Sequence, residues 1–268
     1  MKRNIINFMM LISLFALLFS CATTQRKTVH EQFYIPKFSW TPAARSTQKA
    51  SDITMAIVSP TYSANSQTQT VLAQLSAGNI VPIFKAPLFS NFSSALGKSF
   101  QELLVSKGFT IKGPYSSFSY MTYPDKQGSD LAIYPTINLS VDISGVKNKN
   151  HEKLVLLSPN RIVYTQEGVI TLNGQISLVV FEPLSGAKMW IKNIVLDPIT
   201  IKCKSTKESD TPMNGKLNFA DPGIINPIAQ ALESYYPKIL NTAWTYIDPN
   251  EMESIKKKTL TIRGKKVY

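Results

Sequence analysis

The chain is poor in the residues from which most catalytic centres are built. Its 268 residues include two histidines, His30 and His151, and two cysteines, Cys21 and Cys203. A zinc site of His and Cys needs more ligands at suitable spacing. No phosphate-cradling glycine loop and no Gly-x-Ser-x-Gly elbow occurs. Ser46-Thr47-Gln48-Lys49 and Ser185-Gly186-Ala187-Lys188 fit a Ser-x-x-Lys pattern, a spacing that chance supplies readily. The expectation is a protein that is no enzyme and needs no cofactor or metal. Two cysteines also exclude a disulfide framework. Cys203 stands between Lys202 and Lys204, which would lower the pKa of a reactive thiol; the alternative is a bystander at a strand end.

Long apolar runs are equally scarce: one occurs, from Ile5 to Phe19, interrupted by Asn7 and Ser13. Lys2 and Arg3 precede it and Leu18-Phe19-Ser20-Cys21 follows. A basic start, a short apolar stretch and a small residue before the cut compose a secretory signal. The run is short for a bilayer span, which needs roughly 20 apolar residues. A Cys placed directly after the small residue marks a lipoprotein signal over residues 1–20, with the lipid on the Cys21 sulfur; an ordinary signal with an incidental Cys is the alternative. Each buried CH₂ contributes about 0.8 kcal/mol, so two or three acyl chains anchor a protein almost permanently. The membrane is thus the first expected partner. Ala22 carries none of the acidic character of an inner-membrane retention signal, which points to the outer membrane.

Negative charge is in deficit. Lysine and arginine number 29 against 17 acidic residues, a net charge of +12. Such a balance favours anionic lipid, acidic glycans or nucleic acid, and export argues against nucleic acid.

Residues 21–50 read as the lipidated Cys and a tether. Tyr34, Phe38 and Trp40 in it either pack onto the domain or face the membrane. Ile53–Val58 is apolar and partly β-branched and ends at Ser59-Pro60, as a buried strand does. Phe92–Phe109 has helical spacing through Leu96, Phe100, Leu103 and Leu104, with Asn91 or Ser93 to cap it and Gly108 to end it. Leu131–Ile143, Arg161–Thr165, Val169–Val180 and Met189–Ile201 alternate as antiparallel strands with one face covered; Pro135 suggests a bulge or edge and Gly174 a kink. Asn226-Pro227 opens a second helix with an apolar stripe from Ile228 to Trp244. The predicted domain is α+β, a mostly antiparallel twisted sheet against two main helices. It spans residues 51–250, behind the anchor and tether and ahead of a basic tail over 251–268.

Two basic segments stand out. Gly145–Lys153 reads as an exposed turn carrying Lys147, Lys149, His151 and Lys153. Lysines so grouped form charge-assisted hydrogen bonds with the carboxylates and sulfates of acidic sugars; a solvated loop is the plainer alternative. The tail, with Lys256, Lys257, Lys258 and Arg263, either touches anionic lipid or stays disordered.

The lipobox, the strand ending in Ser59-Pro60, the helix closing in Lys107-Gly108-Phe109 and the turn Glu182-Pro183-Leu184-Ser185-Gly186 come in an order that resembles the neuraminyllactose-binding haemagglutinin family. These are lipoproteins of the outer membrane and flagellar sheath in gastric and enterohepatic spiral bacteria. The resemblance covers most of the chain after Cys21. It implies an adhesin-like role toward sialylated host glycans. The family's basic binding segment, Lys-Arg-Thr-Ile-Gln-Lys, is replaced here by Val146-Lys147-Asn148-Lys149-Asn150-His151-Glu152-Lys153. A reading of another class stays open beside it: a periplasm-facing accessory lipoprotein that docks an envelope protein partner, which would expose an apolar patch.

Overall fold

The structure is a computed structural model that describes residues 32–42, 52–63, 87–152, 162–209, 219 and 221–265. Cys21, His30 and Lys153 lie outside these residues, as does the side chain of His151. Contacts divide the chain into Met1–Gln32 and Phe33–Tyr268, and every element below belongs to the second unit.

In chain order these are β1 (Thr54–Val58), β2 (Thr61–Tyr62), α1 (Pro87–Ser106), β3 (Thr110–Tyr115), α2 (Tyr123–Gln127), β4 (Leu131–Glu152), β5 (Ile162–Phe181), β6 (Lys188–Ser209), α3 (Pro222–Tyr246) and α4 (Pro249–Lys265). The sheet order is β3-β1-β4-β5-β6, with β2 paired to β4. β1 runs parallel to β3 and β4, whereas β4, β5 and β6 form a long antiparallel meander. The fold is α+β, as expected; the sheet is mixed, with the antiparallel meander joined to parallel pairs of β1 with β3 and β4 and of β2 with β4.

α1 buries Phe89, Phe92, Leu96, Phe100, Leu103 and Leu104 on one stripe, each contributing roughly 1.5–3 kcal/mol relative to exposure. It ends as glycine chemistry dictates: Gly108 takes φ +91°, and Gly108 N–H and Phe109 N–H donate to Val105 O and Leu104 O at 3.0 and 3.1 Å. Ser93 is no cap; its hydroxyl donates to Pro60 O at 2.6 Å, six residues into the helix. α3 begins earlier than Asn226-Pro227. Asp221 caps it, accepting from Gly223 N–H at 2.8 Å and from Ser205 Oγ of β6 at 2.6 Å. A Cβ at position 223 would lie 2.0 Å from Lys204 O, so glycine lets the helix start sit on the strand.

The strands are longer than the alternation suggested. Gly174 lies in the bulge where the β5–β6 register shifts, at φ +147°, and a Cβ there would stand 2.1 Å from Asn138 O. Pro198 occupies the extra position opposite, where a missing N–H does not cost a ladder bond. Tyr235 of α3 pins this bulge, its hydroxyl donating to Leu172 O at 2.8 Å and Asp197 O at 2.5 Å. Pro135 falls between the β4 residues paired to β1 (through Ile133) and those paired to β2 (from Thr136).

Two segments read as peripheral are parts of the packed domain. Residues 33–42 run along α3, with partners that advance down the helix. Tyr34 N–H donates to Asn226 Oδ1 at 2.8 Å, Phe38 packs on Tyr236 with ring centres 5.3 Å apart, and Trp40 Nε1–H donates to Asn241 Oδ1 at 2.8 Å. The aromatic residues of the tether therefore pack, as the first of the two readings has it. The basic C-terminal stretch is helical through Lys265 because Met252, Ile255 and Thr259 recur at helical spacing and are buried. Two of its cations are engaged within the domain: Lys256 Nζ lies 3.2 Å from Asp130 Oδ2, and Arg263 Nε donates to Glu182 Oε1 at 2.8 Å.

Candidate functional site

Three long strands present one face to the helices and leave the other to solvent. Ile137, Leu139, Val141, Ile170, Leu172, Ile176, Ile194 and Ile201 point inward. Residues two apart share a face, so Ser140, Asp142, Thr171, Asn173, Asn193 and Thr200 point outward. The Tyr115–Met121 segment covers one end of this outer face, with Phe118 against Phe181 at 5.6 Å.

The far end is basic. Gly145–Lys153 is not a turn up to Glu152: Gly145 takes φ +62° within a bulge between Ser144 and Lys147, and β4 then continues in register with β5. A left-handed glycine suggests a turn in sequence, but in a sheet it equally makes a bulge that lets the strand run on. Lys147 stands directly across from Glu167, which stands across from Lys204; Lys202 stands across from Val169. Lys149, two residues past Lys147, reaches the same carboxylate. The Lys149 and Lys204 ammoniums lie 3.3 and 3.8 Å from the two Glu167 oxygens, and all three side chains remain more than a third exposed. One carboxylate thus sits among four lysines. Such exposed pairs contribute about 0–1 kcal/mol each. Their consequence is local charge: three cations in excess of the acid on a flat polar surface.

The strand pairing brings Lys147 and Lys149 together and adds Lys202 and Lys204, which the sequence reading overlooked. Their signal was present in the alternation Lys202-Cys203-Lys204-Ser205, which continues the strand predicted to end at Ile201. The same alternation settles Cys203. It points inward with its thiol donating to Gly168 O at 3.3 Å, away from both lysines, and burial pushes its pKa up. It is the bystander. Ser185 is equally structural, its hydroxyl accepting from Ala187 N–H at 3.2 Å within the turn.

Gln166 is fully buried and donates through Nε2 to Asn148 Oδ1 at 3.1 Å, while its Oε1 finds no partner among the described residues. Among the described residues no group of three or more His, Cys, Asp or Glu is placed to hold a metal ion, and no helix is long and apolar enough to cross a membrane.

Fold and surface together define an α+β domain with an open, basic-ended sheet face. No family model matches the sequence, and no curated protein does. Among solved structures, a protein from Helicobacter pylori designated a neuraminyllactose-binding hemagglutinin homolog shares the fold. It has a TM-score of 0.53 and 12% identity, covering 85% of this chain and 100% of that one. A protein from Xanthomonas campestris matches with a TM-score of 0.34 at 8% identity, over 83% of this chain and 98% of its own. A lipoprotein from Neisseria meningitidis matches with 0.21 at 12%, over 66% and 99%. Only the first score reaches the level at which a fold is shared.

Proposed function

We propose that this chain is an outer-membrane lipoprotein, held through a lipid on Cys21, that binds acidic glycans without altering them. The observation that carries the reading is the convergence of Lys147, Lys149, Lys202 and Lys204 around the single acid Glu167 on an open sheet face. A carboxylated or sulfated sugar would replace Glu167 as a partner for these ammoniums, at the cost of two weak, exposed ion pairs. The shared fold with a protein named for neuraminyllactose binding supports sialylated glycans as the first class to test.

A second reading has its own observation. Ile191 and Val195 on the edge strand β6 are 51% and 74% exposed and share the outer face, the kind of apolar patch an envelope protein partner would cover. Protease treatment of intact cells separates the two, with a periplasmic protein as control. Digestion while the control survives supports a surface adhesin; protection until the outer membrane is broken supports the periplasmic docking protein.

A further inference from the structure

The segment that crosses α3 also roofs a cleft. Phe38 and Trp40 form one wall, a stripe of α1 the other, and Tyr236 closes one side of a cavity of about 560 Å³. That volume lies within the roughly 300–1,000 Å³ of small-molecule sites. The two walls differ in kind. The aromatic wall has already used its polar atoms: Trp40 Nε1–H is held by Asn241, and the Tyr236 hydroxyl donates to Ala95 O and Ser99 Oγ at 2.8 and 2.9 Å. Apart from Ser39, it offers ring surfaces. The α1 wall offers polar groups. Asn91, Ser94, Lys98 and Glu102 recur at the spacing of one helix face, apart from the buried apolar stripe. All four are exposed, and none makes a side-chain hydrogen bond or ion pair among the described residues, so their polar groups are open to a ligand that replaces water. Lys98 and Glu102 are one turn apart and still unpaired.

A ligand that satisfies both walls must have an apolar face and a polar edge. A pyranose ring is such a molecule, with a C–H face that lies against an aromatic ring and equatorial hydroxyls at its rim. A wholly apolar ligand would leave four polar groups unsatisfied, which costs specificity and affinity. We propose that this cleft seats one acidic sugar unit, its ring face against Trp40, its carboxylate on Lys98 and its hydroxyls on Asn91 and Glu102. The inference rests on the glycan-binding reading, and the cleft is a site for a sugar unit separate from the lysine patch. It also makes the segment that follows the anchor part of the binding site.

The test uses the full-length protein in detergent micelles with ¹⁵N-labelled tryptophan, titrated with sialyllactose and, as the neutral counterpart, lactose. Trp40→Phe assigns the Trp40 indole signal. That signal is expected to move saturably with sialyllactose. Lys98→Ala, an exposed change that leaves the fold intact, is expected to weaken sialyllactose at least about tenfold, as loss of a hydrogen bond to a charged group does, and lactose is expected to leave the Trp40 signal in place in both proteins. Replacing Lys147, Lys149, Lys202 and Lys204 by Ala should leave the Trp40 response in place. Sialyllactose binding that does not move the Trp40 signal, or that ignores Lys98→Ala, puts the sugar elsewhere and overturns the cleft while the glycan reading stands. Absence of sialyllactose binding overturns both.

Discussion

Arg263 and Glu182 meet at 2.8 Å, Nε to Oε1, with the carboxylate entirely buried. The pair ties the last helix to the turn between β5 and β6, and Arg263 also donates to Ser129 O at 2.7 Å. A buried carboxylate stripped of its cation is costly, so Arg263→Ala should destabilise the domain by about 3 kcal/mol, read as a shift of the urea midpoint.

The same pair sets an acid limit. Burial alone would raise the Glu182 pKa, but hydrogen bonds from Ser185, Arg263 and Leu184 outweigh it and hold the group at about 2 instead of 4.5. A depressed folded pKa contributes stability that is fully present above the unfolded value and is lost as pH falls from about 4.5 toward 2. Glu182→Gln should therefore flatten the stability profile in that window in acid denaturation scans, while lowering stability at neutral pH.

Tyr235 should behave as a buttress of the bulge. Tyr235→Phe leaves the Leu172 and Asp197 carbonyls without this donor and should cost about 1–3 kcal/mol, with hydrogen exchange rising first at the bulge. At the same place Gly174→Ala should cost about 3 kcal/mol, because the new Cβ would press on Asn138 O.

Lipidation is checked by one substitution. Cys21→Ala should abolish incorporation of labelled palmitate and move the protein from the membrane to the soluble fraction. Retention in the membrane with no label would sink the anchor and leave the domain description untouched.

Much of the fold was legible in the sequence because its cues were local. Leu96, Phe100, Leu103 and Leu104 gave α1, Gly108 gave its end, and Ile170 to Val180 gave a half-buried strand. What was missed depended on partners far along the chain. Gly145 looks like a turn until β5 is seen to pair beyond it at Lys147–Glu167. The basic tail looks solvated until Glu182 and Asp130 supply carboxylates for Arg263 and Lys256. The lysine patch was half legible for the same reason: Lys147 and Lys149 share a segment, whereas Lys202 and Lys204 arrive through strand register. The cleft was illegible, since its walls come from residues about 50 to 200 positions apart.

The central claim is that the basic end of the sheet binds acidic glycan. The direct measurement is binding of full-length protein to a sialylated surface across a salt series, for wild type and for the variant with Lys147, Lys149, Lys202 and Lys204 all changed to Ala. At about 1 kcal/mol per lysine near a dense anionic surface, the account predicts a fall of tenfold or more in the variant. It also predicts that wild-type binding weakens as salt rises, while desialylated surfaces bind neither protein. Equal binding by both proteins, or wild-type binding indifferent to salt, would contradict it.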